Sequence, residues 1–100
     1  MTLKAAFMFI APHADPLQHR QIVVTPEVEV VTLAVDSYAM AEQVAAQLPA
    51  QGIIAIELCA GFGSEGVARV KHAVGGQIPV GVVRFDFHPG LDFRSGDDLF

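Results

Sequence analysis

The stretch Ile53-Ile54-Ala55-Ile56-Glu57-Leu58-Cys59-Ala60-Gly61-Phe62-Gly63-Ser64-Glu65-Gly66 constrains this chain more than any other. An isoleucine-rich apolar run, too short for a globular helix, passes through two glycines and opens a helical pattern at Ser64. It reads as strand, tight turn and helix. A continuous apolar strand belongs to a parallel sheet with helices over both faces, so residues 53–58 are expected at the centre of one. The turn brings free backbone N–H groups and the positive end of a helix dipole to the carboxyl edge of that sheet, where open α/β folds bind their ligands.

The flanking segments fit the same plan. Residues 4–11 and 28–35 are strand-length apolar runs, the second rich in β-branched residues with Glu27 and Glu29 at its solvated start. Asp15-Pro16 looks like an N-cap and first helical position, which predicts a short helix ended by Thr25-Pro26. Asp36 or Ser37 should cap a longer helix whose Ala41, Val44, Ala45 and Leu48 form one apolar stripe. A second long helix is expected from Ser64 to Val74, with Glu65 and Arg69 paired outward and Gly75-Gly76 ending it. Residues 78–85 supply the last strand, where Pro79 and Gly81 point to an edge. The expectation is a single small α/β domain with a four-stranded, mainly parallel sheet ordered 2-1-3-4 and covered by helices, flavodoxin-like or half-barrel-like. No repeat, linker or low-complexity segment interrupts it.

Composition narrows the class of function. At 100 residues there is room for one core and no separate substrate domain. The 52% hydrophobic content against 17% charged implies a sheet covered on both sides, or apolar surface given to a partner chain. No apolar run approaches the roughly 18 residues of a membrane span. The amino-terminal apolar run superficially resembles a signal peptide, but it lacks a small-residue cleavage pattern and its loss would delete a strand. A cytoplasmic location is expected, and the single cysteine suits a reducing compartment. A net charge of −5 with six scattered basic residues argues against nucleic acid and anionic membranes as partners. A small molecule or another protein chain remains.

The segments Ala-Pro-His-Ala-Asp-Pro at 11–16, Ile-Glu-Leu-Cys-Ala-Gly-Phe-Gly-Ser-Glu-Gly at 56–66 and Val-Gly-Val-Val-Arg-Phe-Asp at 80–86 together resemble a family of short bacterial proteins known only as a domain of unknown function. The resemblance covers nearly the whole chain. It implies no activity and transfers no catalytic residue.

Candidate chemistry therefore comes from the residues themselves. The glycine turn offers Gly61, Gly63, Ser64 and Gly66 to a small anion, with Arg84 and Asp86 reaching the same rim from the last strand. It lacks the Lys-Ser/Thr of a P-loop and the spacing of a dinucleotide site, and Glu65 already satisfies part of the helix dipole. Cys59, one residue past a strand and near a helix N-terminus, has the placement of a nucleophile, with His13 or His88 as its base; buried as a small hydrophobe, it would be inert. Glu57 inside an apolar strand needs a partner, and Arg84 is the expected one; the sharper reading makes Glu57 a general acid or base. His13, Asp15, Asp86 and His88 have ligand chemistry but no metal spacing, so neither a metal nor a cofactor is expected.

From Phe85 onward periodicity is lost, yet four of the seven phenylalanines lie there. Aromatic anchors among acidic residues have the composition of an interface core. The tail from residue 86 is expected to cross a neighbouring chain in a homo-oligomer, most simply a two-fold dimer. Three functions stay open: a small-anion binding module, a small lyase, isomerase or hydrolase using Cys59 or Glu57 with His13 or His88, and an assembly protein without a ligand.

Overall fold

A computed structural model describes residues 2–85 and 87–100. Its sheet has five strands, β1 (Leu3–Ile10), β2 (Arg20–Val24), β3 (Val28–Val35), β4 (Ala55–Leu58) and β5 (Val80–Val82), ordered β2-β3-β1-β4-β5. β3, β1, β4 and β5 run parallel in the expected relative order. The addition is β2, which pairs antiparallel with β3 at the edge and takes the place of most of the predicted short helix. Thr25 explains it: its hydroxyl donates to the Val28 carbonyl at 2.9 Å and accepts from the Val28 N–H at 3.0 Å, closing a hairpin. Asp15 does open a turn, accepting from Leu17 N–H at 2.8 Å, but β-branched Ile22, Val23 and Val24 carry the chain into the sheet.

Helix α1 (Tyr38–Gln47) starts where Ser37 accepts the Met40 N–H at 3.1 Å, and α2 (Ser64–Ala73) follows the glycine turn. Both lie on the same side of the sheet. Ala6, Met8 and Ile10 of β1, Leu33 and Val35 of β3, and Ile56 and Leu58 of β4 share one core cluster with Ala41, Ala45, Leu48, Val70 and Val74. Strand alternation places Phe7, Thr32 and Glu57, which are in register with one another, on the opposite face, and no helix covers them. Among the described residues helices therefore cover one side only, with the segment from Ala11 to His19 packing over Phe9 and Ala34 at one end of the other, and the expectation of helices on both is corrected. The missing layer follows from the replaced helix: two crossover helices remain, α1 passing over β1 from β3 to β4 and α2 joining the neighbours β4 and β5, and right-handed crossovers in the same direction put both on one face. Glu57 is accordingly exposed rather than a carboxylate in a sealed strand.

The helices are joined by a pair the spacing within α2 did not indicate. Arg69 turns from Glu65 to Glu42 of α1, donating through Nε at 3.0 Å and also through Nη2, while its guanidinium lies 5.5 Å from the Tyr38 ring centroid. An ion pair between two packed helices combined with an aromatic face outweighs a solvated pair along one helix.

Candidate functional site

The carboxyl ends of the parallel strands do collect on one edge, and the turn between β4 and α2 sits there. Its glycines serve close packing. A Cβ on Gly66 would lie 2.5 Å from the Tyr38 ring, and one on Gly61 would lie 2.7 Å from Ile10 Cγ2. One on Gly63 would strike the carboxylate of Asp97. None of these three has a positive φ.

The N-terminus of α2 is already occupied by an anion from within the chain. Asp97 accepts from the N–H of Glu65 at 3.1 Å and of Gly66 at 3.2 Å, and the Tyr38 hydroxyl donates to it at 2.8 Å. Tyr38 Oη in turn accepts the Gly63 N–H at 3.0 Å. Burial alone would push the Asp97 carboxyl up, but the N–H of Glu65, the Tyr38 hydroxyl and the N–H groups of Gly66 and Ser64 together hold it below the usual carboxylate range. Tyr38 is held strongly protonated, first by burial and then by the Asp97 charge, against the opposing Gly63 N–H. The ring of Tyr38 stacks on Phe62 at 5.8 Å and meets Phe100 at 6.4 Å. Gly96 allows this docking, since any Cβ there would collide with the Gly61 carbonyl.

Sequence reasoning missed both halves of this arrangement. Tyr38 is the only tyrosine and the first residue of α1. Asp97 lies among acidic residues of an aperiodic tail, and its one local signal is Ser95, which caps the short turn Gly96–Asp98. The helix-terminus physics was correct, but the anion it calls for is built in.

Beside the turn, between α2 and β5, is a cleft of about 180 Å³ lined by Phe62, Gly63, Ser64, Val67, Val82 and Arg84. Arg84 Nη1 donates to Ser64 Oγ at 3.1 Å across its mouth. Gly63, Ser64 and Arg84 thus meet as expected, whereas Gly61 and Gly66 are buried in packing, and Asp86 lies outside the described residues. The expected Glu57–Arg84 pair does not form. Alternation sends Glu57 to the open face and Arg84 to the helix side of the sheet.

The four candidate catalytic residues are not assembled. Cys59 Sγ accepts the Gly61 N–H at 3.3 Å. His13 stands exposed in a turn at φ 64°, and His88 accepts the Gly90 N–H through Nδ1 at 3.0 Å while its ring meets Phe85. Among the described residues no hydrogen bond joins either histidine to Cys59 or Glu57, and no three candidate ligands gather for a metal ion.

Among the described residues no helix is long and apolar enough to cross a membrane. No curated protein and no solved structure matches the chain. Residues 3–98 match the model of a family of unknown function, DUF6506, and the chain belongs to that family.

Proposed function

We propose that this protein is a homo-oligomeric cytoplasmic binding module that takes a small anionic ligand at the carboxyl edge of its sheet, in the cleft between α2 and β5. The observation that carries this reading is the lining of the cleft. Phe62, Val67 and Val82 supply apolar walls, and Ser64 with the guanidinium of Arg84 supplies donors at one end. A few polar groups converging on an apolar wall is the usual composition of a small-molecule site. At about 180 Å³ the cleft suits a molecule of roughly six heavy atoms, given a share of about 30 Å³ for each water in the liquid. Because Asp97 consumes the N–H groups of α2, the ligand is held by side chains, and a short carboxylate fits a guanidinium fork.

The test is a titration of the ¹H–¹⁵N spectrum with acetate, propionate, pyruvate, lactate and inorganic phosphate. Saturable shifts at Ser64, Val67 and Val82, abolished by Arg84→Gln, are expected for at least one carboxylate. If every compound leaves these amides unmoved at about 10 mM, an affinity weaker than roughly −3 kcal/mol, the reading fails. The geometry lends no support to Cys59 or Glu57 acting with His13 or His88. The reading as an assembly protein has one observation in its favour, the helix-free face of the sheet with Phe7 and Val30 part-exposed on it.

A further inference from the structure

We propose that a second copy of this chain pairs antiparallel with β2, edge to edge across a two-fold axis at Ile22, so that two five-stranded sheets become one continuous sheet. This names the interface of the homo-oligomer proposed above and rests on that reading. It makes no use of the ligand cleft, which lies beside β5 at the opposite edge.

β2 is an end strand, and the phase of its ladder decides which groups face outward. In an antiparallel pair every second residue turns both its N–H and its C=O toward the neighbouring strand. Thr25 donates to the Val28 carbonyl at 2.8 Å, and the His19 carbonyl accepts from Ala34 at 3.0 Å, so Gln21 and Val23 between them face β3. The N–H and C=O groups of Arg20, Ile22 and Val24 therefore point away from the sheet. Among the described residues no group outside the sheet bonds to them.

Exposed edges are normally blunted by shortness, proline, lysine or a bulge. The edge at β5 obeys this, with three residues and Pro79 just before them. β2 does not. It pairs regularly over five residues, and its β-branched Ile22, Val23 and Val24 are 51%, 59% and 67% exposed.

The edge is complementary to itself, which makes a second copy the occupant. Antiparallel pairing centred on Ile22 sets Ile22 against Ile22 and Arg20 against Val24 of the second copy, so every outward group on both chains finds a partner. Charge selects the same arrangement. Arg20 begins β2, while Glu27 and Glu29 stand at its far end, Glu29 in register with Val24. Among the described residues Arg20 makes no ion pair. The two-fold places it beside Val24 of the second copy, about 10 Å between Cα positions from that copy's Glu29, which Lys4 approaches from the other side at 3.8 Å. Parallel pairing in register would set arginine against arginine instead. The edge is short, so main-chain bonds rather than buried area hold the dimer, as in β-strand addition. Its affinity belongs to the weak class, about 10–500 µM. Glu57 on β4 stays in solvent.

The experiment has two parts, both on the full chain. Sedimentation equilibrium from about 5 µM to about 1 mM is expected to show monomer passing into dimer. Ile22→Lys, which sets two lysines against each other at the axis, should lower the association at least about tenfold while far-UV circular dichroism stays unchanged. Should that variant fail to fold, amide hydrogen exchange of the wild type decides. In the dimer the amides of Arg20, Ile22 and Val24 should exchange slowly and speed up as it dissociates on dilution, whereas those of Gln21 and Val23 stay slow throughout. A monomer at every concentration overturns both the inference and the oligomeric reading. A dimer in which the Ile22 and Val24 amides exchange as fast as in the monomer overturns the inference and leaves the oligomer standing.

Discussion

Replacing Asp97 by alanine tests whether the tail is a structural part of the fold. The substitution removes the carboxylate that caps α2 and leaves the Tyr38 hydroxyl without its acceptor. Losing a side-chain helix cap costs about 1 kcal/mol, and a buried hydroxyl left unpaired costs about 1–3 kcal/mol. Asp97 is only half-buried, so the lower end applies and the sum is about 2–3 kcal/mol. For a domain of this size each kcal/mol moves Tm by about 4–8 °C, which predicts a fall of roughly 10–20 °C. Asp97→Asn keeps one acceptor oxygen and loses only the charge, so about 1 kcal/mol is expected for it. Thermal and urea unfolding at one fixed protein concentration would measure both.

The pH dependence supplies a second readout. Asp97 is held below the ordinary value of 3.8 in the folded state. The stability it contributes is therefore fully present above that value and is lost as pH falls through the lower, folded one. The gap between wild type and Asp97→Ala should be widest at pH 7 and narrow in acid by about the 1 kcal/mol that the charge contributes. A Tm loss under about 2 °C for Asp97→Ala at pH 7, or a gap between the two proteins that does not narrow in acid, would refute the argument.

Gly66→Ala sets helix propensity against packing. Propensity alone predicts about 1 kcal/mol of stabilisation, whereas the Cβ would lie 2.5 Å from a Tyr38 ring pinned by Phe62 and Asp97, so a net loss of about 1–3 kcal/mol is expected in urea unfolding. Glu57→Val should change stability by less than about 0.5 kcal/mol, because Glu57 is exposed and makes no ion pair with Arg84; a loss of several kcal/mol would restore the buried pair expected from the strand's composition.

The parallel core was legible because its signals are local. Residues 28–35, the stripe Ala41, Ala45 and Leu48, and the passage from β4 through two glycines into α2 each carry their period or punctuation within a dozen residues. The relative order of β3, β1, β4 and β5 followed from which runs were most apolar and from right-handed crossovers. β2 was open to the same reading, since two β-branched runs around Thr25-Pro26 form a hairpin signal that the Asp15-Pro16 cap obscured.

The site was decided elsewhere. A helix N-terminus calls for a negative charge, and the sequence of the turn shows the demand but not the supplier. Asp97 meets Glu65 and Gly66 from more than 30 residues away, and Tyr38 meets Asp97 across 59. No periodicity encodes contacts of that range. They form because the starts of α1 and α2 and the C-terminal tail all reach the carboxyl edge of one sheet. For the same reason glycines that read as a ligand cradle became packing sites, and Glu57 moved from a sealed strand to an open face. Whether a strand is covered on one side or two depends on how many helices the rest of the chain supplies, a tertiary count that no single strand records.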